Sequence, residues 1–171
     1  THLIMGRRFN YPIQLNPNLT HLIMGRRFNR PIQLNPNLTH LIMRHCFNQP
    51  IQLNLNLTHL TTGYCFNHPI QLNHNLTHLT LGTEFNQPIQ LTTVIKYLCL
   101  KTNLHNIIDD LPNGIEELVL GLGFNSAMNN LPTSIKKIIL NCDVYEHELN
   151  CLPNSVEYLK LPKSYNKKIS N

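Results

Sequence analysis

The chain has 171 residues, of which 42% are apolar but only 13% charged, and its 14 Lys and Arg against 9 Asp and Glu give a formal charge of +5. Asn, Gln, Thr and His must therefore cover most of the surface, a composition suited to stacked polar ladders. No apolar run of the roughly eighteen residues a membrane helix needs is present, and no charged-then-apolar leader opens the chain, so neither membrane insertion nor secretion is expected and a cytoplasmic location is the default.

Taken in chain order, the dominant signal is repetition. Phe-Asn-x-Pro-Ile recurs at Phe9, Phe28, Phe47, Phe66 and Phe85, each nineteen residues from the last. A period near twenty is the mark of a solenoid, in which no unit can bury its own apolar side and neighbours must stack to share one core. Repeat starts fall at Leu19, Leu38, Leu57, Leu76, Ile95, Ile115, Ile135 and Val156, so the spacing relaxes from nineteen to twenty and then twenty-one residues. Nine units are expected, the first and last partial. One domain over 1–171 is predicted, with regular repeats over 1–94 and diverged ones over 95–171.

Within each unit the apolar residues stand at positions one, four and six, as in Leu76, Leu79 and Leu81 or Ile115, Leu118 and Leu120. Alternation at four and six predicts a short half-buried strand. A glycine often follows (Gly6, Gly25, Gly63, Gly82, Gly121), which suits a turn leaving the strand. Position ten then holds Phe9, Phe28, Phe47, Phe66, Phe85, Leu104, Phe124, Val144 and Tyr165, expected to stack as a core column. The next position carries Asn10, Asn29, Asn48, Asn67, Asn86 and Asn125, and a buried amide there needs partners, which a ladder to the neighbouring coil supplies. Proline at Pro12, Pro31, Pro50, Pro69 and Pro88 lacks an N–H and fixes φ, so the return path is predicted to be extended or irregular rather than helical. The fold class expected is mainly β: a right-handed leucine-rich-repeat-like solenoid with one short parallel strand per coil.

The run Leu-x-x-Leu-x-Leu-Gly-x-x-Phe-Asn-x-Pro-Ile, together with Leu-Pro-Asn-Ser at Leu152 to Ser155, resembles the FNIP repeat of social amoebae and of large DNA viruses of amoebae. The match covers the chain and is most specific up to Pro88; the unit from Ile95 has Leu104 and His105 in place of Phe-Asn, and that from Ile135 has Val144 and Tyr145. The resemblance implies a leucine-rich-repeat-like, non-catalytic protein-binding module. Many family members carry an F-box, so it also implies the substrate-recognition part of a ubiquitin ligase receptor, located in the host cytoplasm or with the virion if the source is viral. Thr1 lies inside a repeat, so the chain is expected to be part of something longer.

On the strand face, position three reads His2, His21, His40, His59 and His78, and position five reads Ile4, Ile23 and Ile42 before turning to Thr61 and Thr80. A contiguous apolar stripe marks a contact site. Arg7, Arg8, Arg26 and Arg27 follow the strands, and before Glu84 there are six arginines and no acid, so an acidic protein partner is expected across histidines, isoleucines and arginines together. The absence of lysine and of aromatics interleaved with these arginines argues against nucleic acid. A flat histidine ladder supplies too few converging ligands for zinc, so no metal is assigned. Five cysteines, an odd number, make no paired framework, and a bridge between Cys46 and Cys65 is not expected. No phosphate loop, dinucleotide fingerprint or catalytic acid pair appears, so neither enzyme activity nor a cofactor is expected. Coils 1–19 and 20–38 differ only at Tyr11 and Arg30, which leaves self-assembly through solenoid ends as the alternative to partner recognition.

Overall fold

A computed structural model describes residues 1–102 and 107–170, and among them every named element is a strand. These are β1 (His2–Ile4), β2 (His21–Ile23), β3 (His40–Ile42), β4 (His59–Thr61), β5 (His78–Leu81), β6 (Tyr97–Leu100), β7 (Glu117–Leu120), β8 (Lys137–Leu140) and β9 (Tyr158–Lys160). They form one parallel sheet in the order of the sequence, β1 to β9. Register follows the repeat: His2 pairs with His21, His21 with His40, and so on to Lys137 with Tyr158. A nineteen-residue period returns each residue type to the same height one coil later, so the period itself selects the register.

The core runs as columns along this stack. Leu22, Leu41, Leu60, Leu79, Leu98 and Leu118 point inward from successive strands and are buried. Phe28, Phe47, Phe66 and Phe85 are fully buried and stack at 6.1–6.2 Å between centroids. Phe9 at the outermost coil is half-buried. Leu104 and His105 lie outside the described residues.

Three sets of asparagines tie coil to coil. The main-chain N–H groups of Asn29, Asn48, Asn67 and Asn86 donate to the Oδ1 of Asn10, Asn29, Asn48 and Asn67 at 2.9–3.0 Å. This column is half-buried to exposed rather than buried, because its side chains lie in the turn beyond the phenylalanines. A deeper set lies elsewhere, with Asn35 and Asn73 buried and Asn54 half-buried: the three donate Nδ2 to the carbonyl of the equivalent residue one coil back, at 2.9, 2.6 and 2.7 Å. Their Oδ1 atoms accept from the N–H two residues on, an Asx turn repeated in register. Asn37, Asn56 and Asn75 donate to Pro17, Pro36 and Leu55 carbonyls at 2.8 Å. At the next step of the buried column stands Thr92, whose shorter side chain leaves its buried Oγ1 without a partner among the described residues.

Two details depart from expectation. Val144 does not enter the aromatic column; it is half exposed, while Tyr145 is buried and stacks on Phe124 and Tyr165 at 6.0 Å. The twenty-one-residue unit places its extra residue between β8 and the column, so Tyr145 takes the phenylalanine place and the Glu146 N–H takes the asparagine bond, donating to Asn125 Oδ1 at 2.9 Å. The glycine after the strand also has a different reason. Positive φ occurs only at Gly114 and Gly123 among the described residues, whereas a Cβ at Gly82 would lie 1.9 Å from the Gly63 carbonyl oxygen. Close approach of adjacent coils, rather than turn conformation, demands glycine there.

Candidate partner-binding face

The repeat puts the same side chain at the same height on every strand, so the outward positions become stripes. Histidine rings from β1 to β5 stack face to face with centroids 4.0–4.1 Å apart. That spacing is shorter than the roughly 4.8 Å between paired strands. The phenylalanine column behind them opens to more than 6 Å. Coils therefore converge on the histidine side and splay on the other, which makes the strand face concave.

Each ladder histidine from β2 to β5 is held by the threonine before it. Thr20, Thr39, Thr58 and Thr77 donate Oγ1–H to the main-chain carbonyl of the threonine one coil back, at 2.9–3.3 Å. The same oxygens lie 2.9 Å from Nδ1 of His21, His40, His59 and His78. The one hydroxyl proton goes either to the carbonyl or to Nδ1, so it sets the tautomer of each ring; in both arrangements Nδ1 is spent on the threonine and Nε2 is the nitrogen left for another partner. The rings lie parallel, so these Nε2 atoms do not converge. Among the described residues no group of three or more His, Cys, Asp or Glu is placed to hold a metal ion.

Burial and then the charge of neighbouring histidines depress the basicity of His21, His40 and His59, the last to about 4 from an ordinary 6.5. The unfolded chain thus takes up protons near pH 6.5 that the folded ladder refuses, so stability is complete above that pH and is lost as pH falls toward 4. With solvent screening of these half-exposed rings, the loss is about 1–2 kcal/mol, or a fall of about 2–8 °C in melting temperature. Calorimetry at pH 7.5 and 5.5 is expected to show this fall in the wild type and much less in His40→Gln/His59→Gln. Equal melting at both pH values in the wild type would refute it.

Beside the ladder runs the isoleucine stripe. Ile4 is 68% exposed and Ile42 38%, with Ile23 half-buried between them. His2, Ile4, His21, Ile23, His40 and Ile42 border an apolar groove of about 220 Å³ that also reaches β4. Arg7, Arg8, Arg26 and Arg27 are exposed in the turns that follow β1 and β2. Arg44 is exposed just after β3. Tyr64 shares the column of Arg7 and Arg26, is 45% exposed and stacks on His45 at 4.9 Å. One exposed aromatic thus does stand in line with the arginines, contrary to the expectation from sequence. Cys46 and Cys65 are free thiols in the neighbouring column, that of Arg8 and Arg27, at 3.6 and 3.8 Å from His45 Nδ1.

The face changes character beyond β5. Tyr97 caps the ladder, 5.8 Å from His78, and burial followed by the nearby Cys99 thiol pushes its hydroxyl up to about 12. Charges then pair: Lys96 and Lys136 both bind Glu116 at 3.1 Å, and Lys137 binds Glu117 at 2.9 Å. All ion pairs of the described residues lie in this half, whereas among the six arginines no acid precedes Glu84. Cys99 and Val119 stand at the outward position yet are buried, the floor of a second depression of about 290 Å³ edged by Lys101, Leu122 and Asn141. The threonine column was the part of the site that sequence reasoning missed. Its signal was there in the unbroken Thr-His dipeptide, but a hydroxyl's partner one coil away is visible only after register is known.

No protein-family model matches the chain. No curated protein matches it. Among solved structures it is similar to CroV588 of the giant virus CroV, a novel circular LRR protein, with a TM-score of 0.81 and 35% identity. The likeness covers 98% of this chain and 28% of that one, so the chain spans little more than a quarter of its neighbour's length. With its nine-stranded parallel sheet and its in-register repeat, the chain has the architecture of a leucine-rich-repeat-like solenoid.

Proposed function

We propose that this chain is a non-catalytic recognition module of the FNIP-repeat type, acting as one unit over 1–171, that receives a protein partner on its concave strand face. The observation that carries the reading is the isoleucine stripe beside the histidine ladder, followed in the next turns by exposed arginines with no acid before Glu84. Apolar surface beside unpaired charge of one sign suits an acidic protein segment with aliphatic side chains. The FNIP-like motifs extend the proposal: joined to an F-box, the module serves as the substrate-recognition part of a ubiquitin ligase receptor in the cytoplasm. No helix among the described residues is long and apolar enough to cross a membrane.

A pull-down with the chain, compared with Ile4→Glu/Ile23→Glu/Ile42→Glu, tests this reading. A partner held by the wild type is expected to be lost from the variant, at least tenfold in retained amount, since each change puts a carboxylate into an apolar contact. A partner held equally by both would remove the isoleucine face as its site. The second reading is self-assembly, favoured by the near identity of coils 1–19 and 20–38, whose edges offer the same pairing groups to a further copy. Size-exclusion chromatography over a concentration series decides it: a concentration-independent monomer rules out assembly.

A further inference from the structure

The threonine network does more than hold the rings. It spends Nδ1 of His21, His40, His59 and His78 on an internal hydrogen bond, and the first three of these rings line the groove. An imidazole so tethered gains charge by becoming an imidazolium, whose Nδ1 hydrogen stays with the threonine and whose Nε2 hydrogen is left for an anion. Rings 4.0–4.1 Å apart resist doing so together, because each new cation repels its neighbours. The cheapest charged pattern is therefore every second ring, at about 8 Å, and it needs anions opposite to form near neutral pH.

Resting on the recognition reading above, we propose that the concave face from β1 to β5 takes an extended acidic-aliphatic peptide segment whose carboxylates accept from Nε2–H of alternate ladder histidines and draw a proton from solvent onto each of them, so that docking and protonation are one event. An extended strand repeats its side chains every about 6.6 Å on one side, close enough to alternate rings for flexible glutamates to reach them. The aliphatic side chains between fill the isoleucine groove. Arg7, Arg8, Arg26 and Arg27 in the turns after β1 and β2 supply fixed positive charge, and the one acid of residues 1–94, Glu84, bonds the Tyr64 hydroxyl. Other charged or titratable groups around the column do not supply the proton. The Thr1 ammonium adds positive charge beside His21, Tyr97 closes the far end in its neutral form, and Glu117 beyond it is paired with Lys137. Behind the sheet stand the apolar leucines of the core.

Proton uptake on binding makes affinity rise as pH falls, about tenfold per pH unit for each proton taken up. The probe is a short synthetic peptide in which Glu alternates with Leu, titrated calorimetrically at pH 7.5, 6.75 and 6.0 in buffers of different ionisation enthalpy. The expected result is net uptake of about one to two protons per peptide and an affinity gain of ten-fold or more across this range. The Gln-for-Glu peptide is expected to show neither, with the protein unchanged. His21→Gln/His40→Gln/His59→Gln is expected to lose the uptake, its fold being checked by circular dichroism. Binding that is independent of pH, or no binding of the Glu peptide at any of the three, overturns the inference. Recognition through the isoleucine face would survive either result, because it stands or falls on the Ile→Glu pull-down.

Discussion

Phe47→Ala is expected to lower the free energy of unfolding by about 3–5 kcal/mol, a large part of the stability of any domain this size. Phe47 is fully buried, with Phe28 on one side at 6.1 Å and Phe66 on the other at 6.2 Å. Stacked neighbours cannot close the space by moving together, because each is fixed to a coil whose height is set by the sheet. The cavity therefore persists. In a solenoid, stability is a sum of coil terms and nearest-neighbour terms, so the loss falls on two interfaces at once and splits the stack near its middle. Urea denaturation is expected to show a lower midpoint, with a broadened transition as the two parts uncouple. A loss under about 1 kcal/mol would mean the column is not closed around Phe47.

Asn73→Leu is expected to cost about 3 kcal/mol, although it places a larger apolar residue in a buried position. The amide makes three bonds: Nδ2 donates to the carbonyls of Asn54 at 2.7 Å and Leu57 at 3.0 Å, and Oδ1 accepts from the Asn75 N–H at 2.8 Å. Leucine fills the space but takes the partner from two carbonyls and one N–H, of which the Leu57 carbonyl is buried. Asn73→Asp separates the parts of this cost, since it keeps the acceptor and removes the donor. Its loss should match that of leucine or exceed it, because a carboxylate would face two carbonyl oxygens. Thr92, the natural break in this column, already leaves one hydroxyl unpartnered. Thr92→Asn is its reciprocal, and denaturation that finds Asn73→Leu neutral would remove the buried ladder as a source of stability.

The fold was legible because the repeat carries its own redundancy. A phenylalanine every nineteen residues and an in-register leucine ahead of it (Leu3, Leu22, Leu41, Leu60, Leu79) left one architecture able to bury both, and period fixed register as well. Where the period slipped, reading failed: one extra residue moved the aromatic from Val144 to Tyr145, and counting along the chain cannot show where an insertion is absorbed. The glycines were found but misread, since a clash 1.9 Å from a carbonyl of another coil has no trace in local turn preference.

The sequence by itself determined which residues share a column, because identical spacing puts identical side chains at identical heights; the histidine, isoleucine and phenylalanine stripes follow from counting. Only the tertiary structure decided which columns do what. Curvature draws the histidines to 4.0 Å and opens the phenylalanines beyond 6 Å, and depth places one asparagine column in the interior and another at the surface. Nδ1 of each ladder histidine from β2 to β5 is held by a threonine whose own partner lies one coil away. Distance between coils, not order along the chain, sets which atoms meet, and that distance exists only once the stack has formed.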